Sequence, residues 1–455
     1  MKMHNSVFRC QMSNVRCQSG QFLLEIVIAV AVMMILAHAF FTLISSSYQI
    51  LTQSRSQSVA KAVINEKMEI IRNLDYDSVG TVGGIPSGEL LQEETVIRNG
   101  QLFNVSTDII YKDDSYDDLA PDDTNPADYK LARIEVSWIP GGFPSAQKLV
   151  MVTNISPRGG ESLLTGGTLN VLVFNSLGVP VAQANVLIEA TSVGVSLSQT
   201  TDDFGRVTLP GAPVCNSCYS IIVNKTDYST DRTYDFSEVT NPTKPPLSIL
   251  AGQVSQISFA IDTLADVNFN SVGDRDSGFP ALGDVTFHLQ SEKTIGTDGN
   301  GDPVYKLDED YSTDGGGSAN LQLESANYVL TMDASYDLGG SNPFSPLNIS
   351  AGGSMDVTMS AVEQTANSLL ANVQDVGGSP IASASARLTN MGISYDGSID
   401  TGGADDTVYG QAWFGDLTSA SDYILEVSHD DYETSVTDNL EVSGSSSQTV
   451  ILNPK

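Results

Sequence analysis

Asp298, Asn300 and Asp302 alternate with glycines in one short run, and Glu309 stands at the twelfth place counted from Asp298. Carboxylate and amide oxygens at this spacing are the ligands of a calcium loop. Pro303 occupies the sixth place, where a glycine normally permits the sharp turn, and no helical pattern flanks the run. Two readings therefore stand side by side: a calcium-holding sandwich loop, or an acidic turn between strands. Asp266, Asn268, Asn270, Asp274 and Asp276 form a second oxygen-rich stretch. The run KDDSYDDLAPDDTNPAD, residues 112–128, is a third, and its carboxylates repel one another unless solvated or bridged by a hard cation. Calcium is thus the one cofactor the residues suggest.

Cys215 and Cys218 form a C-x-x-C. In a reducing compartment this spacing would suit zinc or redox chemistry. With no second pair to complete four ligands, a local disulfide is the expectation for an exported chain. Cys10 and Cys17 lie far upstream, so no disulfide framework joins the domains. Of the four histidines, His4 and His38 fall at or before an apolar run, and His288 and His429 are separate from each other. Zinc-peptidase spacing, a Gly-x-Ser-x-Gly elbow and a phosphate-cradling glycine loop are missing. Carboxylate pairs carry no information where Asp and Glu number 55 against 22 Lys and Arg. The expectation is a chain that is not an enzyme. A formal net charge of −33 also argues against a nucleic-acid partner.

The elements that carry these residues are short strands. Gly is abundant at 39, and Ser, Thr, Asn and Asp fill the spaces between apolar runs, the profile of extracellular all-β modules. After a Gly-rich linker at 158–168, the chain repeats with a period of about 100 residues. Pro180, Pro280 and Pro380 are expected at one position, the turn that starts the second strand. Thr201-Asp202-Asp203-Phe204-Gly205, Thr313-Asp314-Gly315-Gly316-Gly317 and, more weakly, Thr407-Val408-Tyr409-Gly410 mark a second landmark. Alternating segments from Tyr219 to Tyr228, Tyr328 to Tyr336 and Tyr423 to Tyr432 mark a third. The order of signals predicts three antiparallel β-sandwiches of about seven strands each, over 169–262, 263–362 and 363–455. The pattern resembles the carboxypeptidase regulatory-like, prealbumin-like domain, with Gly178-x-Pro180-Val181 and Thr201-Asp202-x-x-Gly205 as the best match. That resemblance implies an accessory module, a spacer or ligand platform without catalytic residues.

Upstream, Lys2, Arg9 and Arg16 stand in a leader that has no acid, and residues 22–44 are almost wholly apolar. The run is long enough to cross a hydrocarbon core of about 30 Å as a helix. Basic residues before it and an acidic chain after it place the N-terminus in the cytoplasm and the rest outside. Glu25 interrupts the run, and a carboxylate within a membrane helix needs a partner unless it reaches the headgroups. Beyond the span, Ala60, Val63, Ile64, Lys67, Met68, Ile71 and Leu74 recur at helical spacing, which extends the helix to about residue 74. Strands at 94–98, 101–111, 129–138 and 147–155 follow, the first two joined by Asn99-Gly100, a strong hairpin signal.

The stretch Gly20-Gln21-Phe22-Leu23-Leu24-Glu25 resembles the prepilin cleavage motif of type IV pilins and type II secretion pseudopilins, with Gln21 where Phe or Met is usual. Residues 65–74 are similar to minor pilins and pseudopilins. The resemblance implies cleavage after Gly20 by a prepilin peptidase and methylation of the new amine at Gln21. It also implies that Glu25, fifth in the processed chain, pairs with the amine of a neighbouring subunit. A buried carboxylate and a buried ammonium compensate each other only when brought together. Ala37-His38-Ala39 offers a competing cut of the ordinary signal-peptidase form. The expected architecture is an α+β pilin-like domain over 21–157, a long helix packed on a small antiparallel sheet, followed by the three sandwiches. The expected role is a minor pilin or pseudopilin-like subunit of a pilus or secretion filament. It starts in the membrane, meets other subunits and an inner-membrane assembly platform, and displays sandwiches to an unidentified extracellular ligand. The alternative is an uncleaved, membrane-anchored surface binding protein that does not polymerise.

Overall fold

The computed structural model describes residues 19–114, 116, 127–140, 145–157, 166–333 and 335–455, with side chains from residue 26 onward. Most of the basic leader, of the 112–128 acidic loop and of the 158–168 linker lies outside the described residues. The chain divides into two compact units, one built on the N-terminal helix and one containing everything from residue 161 onward.

In the first unit, helix α1 runs from Ser19 to Asn73 without interruption. Residues 21–73 include no glycine or proline to break it. Arg72 stands in its last turn, where a cation suits the carbonyl end of the helix. A single 3-10 turn, Tyr76–Ser78, follows. Four strands form an antiparallel meander in the order β1 (Glu93–Arg98), β2 (Gln101–Lys112), β3 (Tyr129–Trp138) and β4 (Gln147–Ile155). Asn99 and Gly100, at φ of 52° and 77°, make the two-residue turn that pairs Arg98 with Gln101. Ala60, Val63, Ile64, Met68 and Ile71 lie on one stripe of α1, each 2 % exposed or less. They pack on Phe103, Val105, Ile109, Ala132, Ile134 and Val136 from the sheet. Each large side chain so buried stabilises the pairing by about 1.5–3 kcal/mol.

In the second unit one topology occurs three times. The opening strand of each sandwich is Gly167–Phe174, Ala265–Val272 or Ser368–Asp375. It pairs antiparallel with Arg206–Ala212, Ser318–Leu323 or Gln411–Phe414. On its other side it pairs parallel with the closing strand, Val254–Ala260, Ser354–Glu363 or Ser445–Leu452. The sandwiches are therefore not purely antiparallel. In the facing sheets, Asn185–Ala190, Thr286–Ser291 and Ser385–Asn390 are central and antiparallel to both neighbours.

The repeat is kept at the level of single atoms. Tyr219, Tyr328 and Tyr423 are at most 2 % exposed, and each hydroxyl donates to a main-chain carbonyl, of Pro213, Glu324 and Thr418 respectively, at 2.8–2.9 Å. Gly205, Gly317 and Gly410 accept at their carbonyls from the opening strands, from Val173, Ser271 and Val373. All three have φ between 69° and 85°, and a Cβ there would meet the opening strand's carbonyl at 2.3–3.0 Å, so only glycine fits.

Two sequence alignments shift. The third-copy partner of Thr201 and Thr313 is Thr401, not Thr407. Thr201 and Thr401 donate to the carbonyls of Val181 and Ile381 at 2.7 Å and accept from Ala184 and Ala384 at 2.9 Å. Pro180 and Pro380 bridge to Phe174 and Gln374, but in sandwich 2 the bridge to Val272 comes from Ala281, not Pro280. The intervening turn there is longer and holds a 3-10 segment, Arg275–Ser277, which moves the proline out of register.

Candidate functional site

Gly20, Gln21 and Glu25 all lie within α1, the first two in its opening turn. Downstream of them the helix changes character. From Ile26 to Leu51 its large apolar side chains are exposed around the whole circumference, Met33, Ile35 and Phe41 at 72, 68 and 71 %. This is the one stretch among the described residues that is long and apolar enough to cross a membrane. Several hydroxyls in and just beyond it are satisfied within the helix: Thr42, Ser47 and Thr52 donate to the carbonyls of Ala39, Leu43 and Tyr48 at 2.9 Å. Such bonds within the helix let polar side chains enter an apolar medium. Ala37-His38-Ala39 sits inside unbroken helix.

The far end of α1 is held by a residue that sequence reasoning passed over. Lys130 on β3 is 1 % exposed, and its Nζ donates to the carbonyls of Tyr76 and Val79 at 2.6 and 2.7 Å. The ammonium also lies 4.4 Å from the centre of the Tyr76 ring. Burial pushes Lys130 down to about 8, opposed in part by nearby Asp77, and burial pushes Tyr76 up to about 12. Polar contacts around the turn that ends the helix thus converge on one side chain. A lysine in an otherwise alternating strand, at a position that should face inward, was the available signal. Lys67 with Glu94, and Arg98 with Glu66 at 3.0 Å, add ion pairs across the same helix–sheet contact.

The calcium candidates do not converge. Asp298 Oδ1 accepts from the main-chain N–H of Asn300 and Asp302 at 2.8 and 2.9 Å, and these bonds hold its carboxyl below the usual range. Asp302 leads into the strand Pro303–Tyr305, which forms a hairpin with Thr294–Thr297. Glu309 belongs to the other sheet, in Asp308–Ser312, where it accepts from the Tyr311 hydroxyl at 3.1 Å. The ligand set therefore does not fit calcium, and Asp298 serves as the cap of a hairpin tip. No group of three or more His, Cys, Asp or Glu side chains placed to hold a metal occurs among the described residues. Asp266, Asn268 and Asn270 are spread along a strand, each facing its own neighbour. Cys215 and Cys218 are joined by a disulfide at the start of the strand Cys215–Asn224. His288 lies between Asp310 at 2.7 Å and Asp308 at 2.8 Å, and these carboxylates, Asp310 first, raise its pKa.

The hairpin that carries Asp298 has a different task. Its strand Thr294–Thr297 pairs with Asn241–Pro242 of sandwich 1, and Asn241 Nδ2 donates to the Asp298 carbonyl at 3.1 Å. Beside it, Asp262 is 3 % exposed and accepts from Ser176 of sandwich 1 and Ser325 of sandwich 2 at 3.0 and 3.1 Å. The next junction repeats the device. Asp337 of sandwich 2, 2 % exposed, accepts from Thr365 N–H and hydroxyl at 3.1 and 3.0 Å and from Ser445 of sandwich 3 at 2.5 Å. Gln411 of sandwich 3 accepts from the Ser341 N–H at 2.8 Å. Successive sandwiches are thus joined through buried carboxylates whose oxygens are fully engaged.

No family model matches the chain, and no curated protein does. Among solved structures, the Bacillus anthracis TIE protein is 11 % identical, with a TM-score of 0.19, over 80 % of this chain and 73 % of that one. GBS52, a minor pilin of Streptococcus agalactiae, is 14 % identical with a TM-score of 0.22, over 43 % of this chain and 96 % of its own. The shaft pilin SpaA of Lactobacillus rhamnosus GG is 14 % identical with a TM-score of 0.17, over 42 % and 98 %.

Proposed function

We propose that the chain is a non-catalytic filament subunit of the minor pilin or pseudopilin kind, which displays its sandwiches outside the cell for adhesion or spacing. The observation that carries this reading is the division of α1: an apolar, uncovered half from Ile26 to Leu51, then a half whose stripe from Ala60 to Ile71 packs on β1–β4. A helix apolar on all sides needs an apolar medium or a bundle of like helices, and a filament core provides the second after a membrane has provided the first. Gly20, Gln21 and Glu25 stand at the start of this half, where cleavage by a prepilin peptidase would free an amine for the Glu25 of a neighbour. The subunit would then pass from a single-pass membrane state, N-terminus in the cytoplasm, into a filament built by an inner-membrane platform.

Intact-mass measurement of the protein extracted from membranes tests the processing step. A mass that begins at Gln21 with one added methyl group is the expected result. An intact Met1 would favour an uncleaved surface anchor, and a start after Ala39 would remove Glu25 and the first part of the apolar half and overturn the proposal. With cleavage established, Glu25→Ala should be processed normally yet recovered poorly in sheared filaments.

A further inference from the structure

Each sandwich begins and ends on strands that lie side by side and run the same way. Thr168 pairs with Val254 and Phe174 with Ala260 in sandwich 1, and Asp266 with Ser354 and Val272 with Ser360 in sandwich 2. In sandwich 3, Ser368 pairs with Ser445 and Asp375 with Leu452. The chain thus enters each sandwich at one end of a parallel ladder and leaves past the other end. Residues 261–264 and 364–367 are all that separates a closing strand from the next opening strand.

That placement decides what tension along the chain does. A pull on entry and exit draws the two strands past each other lengthwise. The evenly spaced bonds of the parallel ladder are then loaded together. Antiparallel first and last strands would put entry and exit at the same end, and their ladder would open bond by bond. Sliding also drags packed side chains out of the core. In sandwich 3, Leu369, Ala371 and Val373 of the opening strand share one buried cluster with Val450 and Leu452 of the closing strand. In sandwich 2 the closing strand is held on its far side as well, antiparallel to Tyr336–Asn342. The connections are not slack. Asp262, within the first, accepts from Ser176 and Ser325 at 3.0 and 3.1 Å, and Thr365, within the second, donates to Asp337 at 3.0 Å.

We propose that the three sandwiches are shear clamps in series, which make the second unit a load-bearing tether. It carries pulling force between an anchored α1 and whatever holds the far end, and stays folded while doing so. The proposal rests on the display reading and says what the repeated topology does for it. Its failure would leave assembly untouched, since assembly is read from the N-terminal mass and from filament incorporation.

The test is single-molecule force spectroscopy on the full chain in detergent, made in cells without a prepilin peptidase so that a handle ahead of Met1 is kept. A second handle beyond Lys455 loads every sandwich lengthwise, and three lengthening steps of roughly 300 Å each are expected from them. Moving that handle to the turn before a closing strand changes the direction of load and little else. The Ser368 N–H donates to the Gly444 carbonyl, and the Gly352 N–H to the Thr263 carbonyl, both at 3.0 Å, so each turn lies beside its sandwich's entry. Ser443 and Ala351 are exposed in these turns. Ser443→Cys and Ala351→Cys, in a Cys10→Ser, Cys17→Ser background, accept the handle there and should melt as the parent does. From residue 443 the step of sandwich 3 should shorten to roughly 250 Å and fall several-fold in force, while sandwiches 1 and 2 keep theirs. From residue 351 the step of sandwich 2 should fall in the same way, sandwich 1 should keep its force, and sandwich 3 should drop out of the trace. A sandwich that yields at the same force from its turn as from its end overturns the proposal, as does a handle position that weakens all the loaded sandwiches alike.

Discussion

Lys130 Nζ sits 2.6 Å from the main-chain carbonyl of Tyr76, so a strand in the middle of the sheet holds the turn that ends the long helix. The carbonyl of Val79 is bonded to the same ammonium. Lys130→Met keeps most of the side-chain volume and strands both acceptors, at a cost of roughly 1–3 kcal/mol. Arg98→Met, which breaks the half-exposed pair with Glu66, should cost less than about 1 kcal/mol. Urea unfolding followed by Trp138 fluorescence, in a Trp413→Phe background, compares the two. Equal costs would show that Lys130 is only packed, not bonded.

Thr401 separates the structural repeat from the textual one. Three residues separate Thr201 from Gly205, but eight separate Thr401 from Gly410. Thr401→Val leaves a buried carbonyl at Ile381 and a buried N–H at Ala384 without a partner, and should destabilise sandwich 3 by about 1–3 kcal/mol. Thr407→Val, at a half-buried position in the inserted segment, should stay within about 0.5 kcal/mol. Trp413 fluorescence during unfolding checks both, and a larger effect at 407 would restore the alignment read from sequence.

What was legible follows from what is local. The stripe Ala60, Val63, Ile64, Met68 and Ile71 and the Asn99-Gly100 turn are set by spacing over a few residues, and both stand where periodicity puts them. Pro280 and Thr407 misled because an insertion changes the count but not the hydrogen bonds. The parallel pairing of first and last strands, and the junction residues Asp262, Asp337 and Gln411, depend on partners 70 or more positions away in several cases. Spacing carries no trace of such contacts. Asp298 shows the same limit, since its type and spacing suit a cation while its backbone makes it a turn cap.

That reassignment has a measurable consequence. Calcium addition and chelation should leave the unfolding of the sandwiches, read by Trp413, unchanged. Asp298→Ala should instead loosen the hairpin against Asn241, seen as faster amide exchange at Thr243, whose N–H donates to Ile295 at 2.9 Å. A calcium-dependent rise in stability that Asp298→Ala abolishes would return the loop to the metal reading.

His288 gives sandwich 2 a pH dependence whose sign is fixed by its neighbours. Asp310 and Asp308 favour the imidazolium, so the folded pKa lies above the ordinary 6.5. Such a group contributes stability that is fully present below 6.5 and is lost as pH rises through the higher folded value. Melting of the second unit should therefore be higher at pH 6 than at pH 8, and His288→Gln should flatten that difference. The pair is partly exposed, so added salt should shrink the effect in the parent chain. Lys130 pulls the other way and only above about 8, where a lysine held down by burial gains stability on losing its proton, and it lies in the first unit. Recording Trp413 and Trp138 separately keeps the two apart. An unchanged pH slope in His288→Gln would mean that the two aspartates do no more than flank the ring.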